Sequence, residues 1–278
     1  MLRTSALCAK LSAMAEDGYL LDNSAAPAEA RLAALAELFD PWTFRHMEDR
    51  GLTAGWRCWE VGAGGPSVAR GLATRVGVSG RVLATDIDVS WAAGAESDAV
   101  EVRRHDVGAD DPPDELFDLI HARLVLVHVV QRDEALASMV RCLAPGGWLL
   151  VEDADPVLQP LGCLEELGPA EALANKLRVG FRVLLAERGV DLAYGRSLPR
   201  RLREAGLSHV GADAYFPITL PASSVLEITT VRSIGQSLVE HGLASSEEIA
   251  RHLDHVLSGR LDLATSPLVS AWGQRAPG

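Results

Sequence analysis

The alternation of strand-like and helix-like segments between residues 56 and 154 is the feature that most constrains the fold of this chain. Short apolar runs recur there, and polar or helical segments separate them. Strands joined in this way form β-α-β units, which assemble into a parallel sheet with helices on its faces. The sequence therefore predicts a doubly wound, mostly parallel α/β fold. Five of its strands are expected at 56–61, 81–85, 100–104, 117–122 and 148–151.

Segments with helical spacing precede this region. Residues 4–16 and 28–39 are predicted to be amphipathic helices. A third, short helix is expected to start after Pro41, because proline suits the first turn of a helix. Since all three helices come before the first strand, residues 1–50 are predicted to form an N-terminal helical lid.

The alternation breaks after residue 155, so we expect a core at 51–155 and a remainder of the same domain at 156–278. Helical segments in this remainder are predicted to be cap insertions over the sheet. Two further strands return to the sheet and bring it to seven. The cap helices are expected at 163–188 and 222–258, and the two strands at 208–216 and 266–273.

Charge and cysteine usage exclude several classes of function. The net charge of −12 would repel a phosphate backbone, so no nucleic-acid partner is expected. No run reaches the ~20 apolar residues that a membrane span needs, and a soluble, cytoplasmic protein is therefore expected. Neither a disulfide framework nor a metal site is predicted, because the cysteines are far apart in the sequence. They are Cys8, Cys58, Cys142 and Cys163.

A glycine-rich segment follows the first strand directly. Residues 60–65 read EVGAGG and stand where the chain would pass from a strand into a helix. Glycine lets the backbone approach a ligand closely, and the N-terminus of the following helix offers free N–H groups. Taken alone, this pattern is common and does not identify a ligand.

Two acidic residues follow the next two strands. Asp86 ends the second strand, about 22 residues after Gly64, where a nucleoside-binding fold accepts hydrogen bonds from ribose hydroxyls. Asp106 and Val107 follow the third strand, where an acid can accept the adenine amino group and an apolar residue can cover the ring. Each acid also has a plain alternative, since Asp86 can cap the next helix and Asp106 can be a solvated loop residue.

These features occur in a fixed order, and a final turn at 143–147, LAPGG, precedes the fifth strand. As an ordered set they resemble the class I S-adenosylmethionine-dependent methyltransferases, especially the small-molecule branch that includes ubiquinone and menaquinone methyltransferases. The resemblance covers residues 56–154 well, and 198–216 with 266–273 loosely as strands six and seven. One position departs from the family pattern, because Pro66 stands where the motif has its last glycine.

The resemblance implies a Rossmann-like fold and transfer of the methyl group of S-adenosylmethionine to a small molecule, with S-adenosylhomocysteine as product. An apolar or aromatic acceptor from secondary metabolism, such as a polyketide or a quinone, is expected because the cap helices are apolar. The residues expected to bind the cofactor are Tyr19, Glu60, Gly62, Ala63, Gly64, Asp86, Ile87, Asp106, Val107, Ala122 and Arg123.

Some acceptors would also need a general base within hydrogen-bond reach. His128 and Asp153, which follow or end the fourth and fifth strands, are the candidates for this catalytic role; Arg123 and Glu152 lie at the same edge. Each candidate base has a structural alternative, since His128 can be a satisfied buried histidine and Asp153 can hydrogen-bond a neighbouring loop. Four other histidines are expected to be structural or solvated: His46, His121, His252 and His255.

Other interpretations remain open at this point. A nicotinamide-dependent dehydrogenase is disfavoured, because its glycine spacing would need glycine where Ser67 stands. The chain could also bind the cofactor without methyl transfer, as a cyclase, an isomerase or a regulatory subunit. A nucleotide-binding regulator is disfavoured by the two helical insertions on the acceptor side. A homodimer is compatible with the sequence.

Overall fold

The structure is a computed structural model that describes residues 20–21 and 27–278. The helix predicted at 4–16 lies outside the described residues. One sheet of seven strands forms the centre of the fold. In chain order the strands are β1 (Arg57–Val61), β2 (Arg81–Asp86), β3 (Val100–Arg104), β4 (Phe117–Arg123), β5 (Leu143–Ala154), β6 (Ser208–Tyr215) and β7 (Leu268–Gln274).

Helices cover both faces of this sheet. They are α1 (Pro27–Asp49), α2 (Ser67–Val76), α3 (Arg132–Arg141), α4 (Pro169–Glu187), α5 (Tyr194–Glu204), α6 (Pro221–Glu240) and α7 (Ser246–Leu257). Proline opens α4 and α6, where its missing N–H would have no intrahelical partner. A capping box opens α7, since the Ser245 hydroxyl accepts from the Glu248 N–H and the Glu248 carboxylate accepts from the Ser245 N–H.

The strand order is β3-β2-β1-β4-β5-β7-β6. Strands β1 to β5 pair in parallel, and β7 runs antiparallel to both of its neighbours. This arrangement confirms the predicted doubly wound, mostly parallel sheet. The order reverses between β1 and β4, and open α/β sheets bind their ligands beside such a reversal, at the carboxyl ends of the strands.

Alternate residues of the central strands pack into separate cores on the two faces of the sheet. Trp59 and Ile120 contribute to one core, whereas Cys58 and Leu119 contribute to the other. Because both faces are buried, these strands read as continuous apolar runs rather than as an alternation of apolar and polar residues.

The separate short helix predicted after Pro41 is wrong, since α1 continues through this residue to Asp49. Proline in a helix interior removes one hydrogen bond and costs about 3 kcal/mol. Pro41 lies on the exposed side of α1, whereas Leu38 and Met47, on either side of it, are both buried. Burial of this continuous apolar face explains why the helix is not interrupted.

Candidate active site

The glycine-rich loop leaves the carboxyl end of β1 where the strand order reverses. Gly62 and Gly64 adopt left-handed φ angles of 65° and 57°, which favour glycine. A Cβ atom on Gly62 would overlap the side chain of Val125, so the loop packs directly against the residues that follow β4. Leu32 of α1 lies over the loop, 3.2 Å from the position that a Cβ atom on Gly64 would take. α1 therefore covers this loop.

Asp86 holds the loop through its carboxylate. One oxygen accepts from the Gly64 N–H at 2.8 Å and the other from the Asp88 N–H at 2.9 Å. Burial raises the pKa of Asp86, although these backbone donors act in the opposite direction. Each carboxylate oxygen can accept two hydrogen bonds, so both retain acceptor capacity toward a ligand. The acceptor oxygens of Asp86 thus fit the hydroxyl groups of a ribose, which would donate to them.

The two predicted adenine contacts differ in their surroundings. Ile87 is 57% exposed beside Asp86 and offers an apolar surface, whereas Val107 is largely buried in the sheet core. The Asp106 carboxylate accepts from the Gly108 N–H at 2.8 Å. Ile87 is therefore better placed than Val107 to present apolar surface to a bound ring.

A row of buried polar side chains crosses the sheet beneath α1. Glu60 Oε2 lies 2.5 Å from His121 Nδ1, and His121 Nε2 lies 3.1 Å from Glu152 Oε2. All three side chains are buried, on β1, β4 and β5. We call these three residues the acid–histidine cluster. Both ring nitrogens of His121 face carboxylates. The imidazole therefore has a structural role in the buried sheet and does not face a substrate.

The charge states of the acid–histidine cluster follow from burial and proximity. Burial would lower the pKa of His121, but the two carboxylates outweigh it and raise the pKa to about 9. Burial would raise the pKa of Glu152, but hydrogen bonds with His121 and His46 hold it well below the usual range. Burial raises the pKa of Glu60 in spite of His121. At neutral pH the cluster therefore contains an imidazolium paired with the Glu152 carboxylate.

The cluster also fastens α1 to the sheet. The Thr43 hydroxyl donates to Glu152, and Ser270 Oγ of β7 donates to the same carboxylate at 2.6 Å. Arg123 donates to Thr43 Oγ1 at 3.0 Å and to Asp40 at 2.8 Å. The C-terminal half of α1 is thus bound by side-chain hydrogen bonds to β4 and β5.

These contacts bear on three predicted cofactor contacts. The Glu60 carboxylate is hydrogen-bonded to His121, and Arg123 donates to Thr43 and Asp40 of α1, so both side chains have a supporting role in the fold. Ala122 is buried in β4. Sequence reasoning missed Thr43 and Ser270 altogether. The available signal was that acids and a histidine within buried strands require partners.

A mostly apolar cavity lies beyond the carboxyl ends of β4 and β5. Side chains of α1, α4 and α6 and of the loop after β4 form its wall, among them Leu35, Phe181, Val231 and Leu124. Leu124 has a left-handed φ of 58°, a strained conformation for a bulky residue that tends to occur at functional sites. The next residue, Val125, packs against Gly62. The cavity and the glycine-rich loop are therefore adjacent.

The structure separates the two predicted catalytic residues. His128 lines the cavity, and burial together with nearby Arg132 lowers its pKa to about 4. Asp153 is fully buried and does not line the cavity. Burial raises the pKa of Asp153 well above its usual range, although backbone N–H groups of Val127 and Val125 oppose this shift. His128 thus remains a candidate general base, whereas the position of Asp153 outside the cavity does not support that role.

The remaining site prediction, Tyr19, lies outside the described residues. Ala63, also predicted, has its N–H bonded to the Thr85 carbonyl at 2.9 Å, which keeps the loop close to β2. Within residues 20–21 and 27–278, no helix combines the length and apolar character needed to cross a membrane. The same residues contain no grouping of His, Cys, Asp and Glu suited to a metal ion.

Comparisons with known proteins agree with this geometry. The methyltransferase domain family matches residues 59–151. The ubiquinone/menaquinone biosynthesis C-methyltransferase UbiE of Laribacter hongkongensis is 31% identical over 138 residues, which cover 48% of this chain and 57% of that protein. Methyltransferase str2 of Strobilurus tenacellus is 31% identical over 125 residues, which cover 44% and 42%. The chain spans about half the length of the curated relatives it matches.

Among solved structures, phosphoethanolamine N-methyltransferase 2 of Haemonchus contortus in complex with S-adenosyl-L-methionine has the same fold. The TM-score is 0.57 at 14% identity, covering 95% of this chain and 61% of that one. A methyltransferase of Bacillus halodurans gives 0.54 at 16% identity, covering 84% and 98%.

The sheet order, the glycine-rich loop and these likenesses together define a Rossmann-like methyltransferase fold. Residues 59–151 are thus similar to the methyltransferase domain of the class I S-adenosylmethionine-dependent methyltransferases, whose cofactor is S-adenosylmethionine.

Proposed function

We propose that this protein transfers the methyl group of S-adenosylmethionine to an uncharged, apolar or aromatic small molecule. The observation that carries the proposal is the position of the cavity. It lies beyond the carboxyl ends of β4 and β5, and the residues 124–125 connect its wall to the glycine-rich loop. An acceptor in this cavity would therefore lie next to the cofactor.

Residues of the loop and of the neighbouring strand ends would hold the cofactor. Gly62 and Gly64 let the backbone approach the cofactor closely. The Asp86 carboxylate accepts hydrogen bonds from the ribose hydroxyls, and Ile87 covers one face of the adenine ring. The Asp106 carboxylate is proposed to accept a hydrogen bond from the adenine amino group. When bound, the cofactor supplies an activated methyl group, so the main tasks of the protein are to bind, to orient and to exclude water.

His128 is proposed to accept the proton of an acceptor hydroxyl. It lines the cavity, and its pKa of about 4 leaves the imidazole neutral at physiological pH. A neutral imidazole has one nitrogen that can accept a proton, and it acts as a base when it comes within hydrogen-bond reach of the reacting proton.

The apolar wall favours an acceptor from secondary metabolism, such as a polyketide or a quinone, and we place the reaction in the cytoplasm. The segment 1–50 is proposed to act as a lid, because Leu32 of α1 lies over the glycine-rich loop. Cofactor binding without methyl transfer is not favoured, since the matched family and the named relatives are methyltransferases.

Calorimetric titration with S-adenosylmethionine, S-adenosylhomocysteine and NAD tests the cofactor, and a panel of phenols, quinols and charged small molecules then tests the acceptor. Micromolar binding of the two sulfur compounds, with turnover of neutral aromatic acceptors, is expected. Binding of NAD instead, or turnover confined to highly charged acceptors, would overturn the proposal.

A further inference from the structure

Two buried hydroxyl groups line the cavity without a hydrogen-bond partner among the described residues. They belong to Ser223, in the first turn of α6, and to Thr265, just before β7. The two residues are only 4% and 6% exposed. Buried polar atoms in folded proteins are nearly always paired, so an unpaired one requires an explanation.

Backbone hydrogen bonds place the segments next to these two residues side by side. The Thr265 N–H donates to the Pro217 carbonyl at 3.1 Å, and the Thr219 N–H donates to the Leu263 carbonyl at 2.9 Å. The segment that leads into α6 therefore runs alongside the segment that leads into β7. Thr265 lies within one of these paired segments and Ser223 lies four residues after Thr219, and both residues line the cavity.

The charges on the same wall are balanced. Glu227 follows Ser223 by one helical turn, and its carboxylate lies 3.2 Å from Arg178 and 2.9 Å from His252. Arg178 also donates to the Ala264 carbonyl at 3.2 Å. Since Arg178 is already paired with Glu227, an anionic group on this wall would meet a carboxylate as well as a guanidinium. An uncharged group suits this position better.

We propose that the hydroxyls of Ser223 and Thr265 bind an uncharged oxygen substituent of the acceptor, a hydroxyl or a carbonyl, apart from the atom that receives the methyl group. The two residues then determine specificity, because a buried polar site rejects an analogue that leaves it unpaired. The inference rests on the proposed function and adds a second oxygen function to the acceptor.

Ligand-free protein gives the first test. Ser223→Ala and Thr265→Val remove hydroxyls that have no partner, so the thermal unfolding midpoint should stay the same or rise. Ser270→Ala is the matched control, because it removes a buried hydroxyl that donates to Glu152; a drop of about 2–4 °C is expected there. An equal drop in all three variants would show that the Ser223 and Thr265 hydroxyls serve the fold, which would overturn the inference.

The second test uses two probes of matched shape, 2,7-dihydroxynaphthalene and 7-methyl-2-naphthol, titrated in the presence of S-adenosylhomocysteine. The wild-type protein should bind the dihydroxy compound about tenfold more tightly. Ser223→Ala with Thr265→Val should abolish this preference while binding of the methyl compound and of the cofactor product is unchanged. Absence of a preference in the wild type, or its persistence in the variant, would overturn the inference.

The two tests separate this inference from the proposed function. If the wild-type protein fails to bind S-adenosylmethionine, the proposed function is overturned and the inference with it. If the cofactor binds normally but the variant with Ser223→Ala and Thr265→Val keeps the wild-type preference for the dihydroxy compound, the inference alone is overturned. A preference for a matched naphthoic acid over both probes would likewise contradict an uncharged substituent.

Discussion

The backbone N–H of Gly64 donates to the carboxylate of Asp86 at 2.8 Å, which ties the glycine-rich loop of β1 to the end of β2. The same carboxylate is proposed to accept the ribose hydroxyls, so it would serve the loop and the ligand together. Asp86→Ala should therefore weaken S-adenosylmethionine binding by about 1.5–3 kcal/mol, the usual worth of hydrogen bonds to a charged group. Calorimetric titration measures this change. Asp98→Asn, an exposed acid before β3, is the control and should bind normally; equal affinity for Asp86→Ala would contradict the assignment.

Two glycines with similar φ angles help to separate conformational strain from steric overlap. Gly62 and Gly77 have φ angles of 65° and 63°, but a Cβ atom would overlap Val125 at Gly62 and would meet nothing within 4 Å at Gly77. Gly77→Ala should cost only the strain of its backbone conformation (φ 63°, ψ −168°), about 1–3 kcal/mol. Gly62→Ala should destabilise the protein by more than this and displace the loop from its cofactor-binding position. Denaturant unfolding and cofactor titration test both effects, and equal losses in the two variants would refute the role of Val125.

The parallel part of the sheet could be predicted from the sequence, because hydrophobic periodicity and turn residues are local signals. The order of the strands, the glycine-rich loop and the positions of Asp86 and Asp106 all follow from residues that are close together in the chain. The turn predicted at 143–147 is wrong, since β5 already begins at Leu143, which pairs with Phe117 of β4. The pairing of β7 in antiparallel orientation between β5 and β6 depends on contacts that no local pattern encodes.

The site was less accessible to sequence reasoning, since its decisive contacts join distant segments. Thr43 meets Glu152 across 109 positions, and Ser270 meets the same carboxylate across 118. The helix start predicted after Pro41 from local propensity is also wrong. Burial of the opposite face of α1 outweighs the loss of one hydrogen bond at this proline. Asp153 was predicted as a candidate base from its position at the end of a strand. Successive strand residues face opposite sides of a sheet, so Glu152 and Asp153 enter different environments.

The pKa of His121 predicts a pH dependence of stability. Folding raises this pKa from 6.5 to about 9, so its contribution is complete below pH 6.5 and is lost as the pH rises through about 9. The full contribution corresponds to about 3 kcal/mol. Urea unfolding between pH 6 and 10 should show a smaller alkaline loss in His121→Gln than in the wild type. His128→Gln should keep the wild-type alkaline slope, because its pKa lies near 4; identical slopes in all three proteins would contradict the coupling.

His128 should be required for transfer to a hydroxyl acceptor and dispensable for cofactor binding. General base catalysis contributes typically about 10²–10⁴-fold, so His128→Gln should lower kcat by a factor in this range. Because the pKa of His128 is about 4, the wild-type rate should show no titration of this group between pH 6 and 8. His241→Gln, at an exposed histidine after α6, is the control. An unchanged kcat in His128→Gln would show that the residue only shapes the cavity wall.

Asp153 and Glu152 should respond in opposite ways to replacement by the corresponding amide. The pKa of Asp153 is raised well above its usual range, so any stabilising contribution is present below the unfolded pKa and is lost as the pH rises. Asp153→Asn keeps an oxygen toward the backbone N–H groups of Val125 and Val127 without the ionisable proton. It should raise the free energy of unfolding at pH 7 by at least about 1 kcal/mol.

Glu152→Gln should instead lower the free energy of unfolding by about 3–5 kcal/mol, because it removes one of the two carboxylates that stabilise the buried imidazolium of His121. Urea unfolding at pH 7 compares the two variants directly. Asp153→Ala separates the two properties of the carboxyl group, since it removes the ionisable proton and also the acceptor that faces the loop carrying His128. Its stability should fall below that of Asp153→Asn, and methyl transfer should fall with it. A loss of stability in Asp153→Asn as large as in Glu152→Gln would mean that Asp153 is charged and paired in the folded protein.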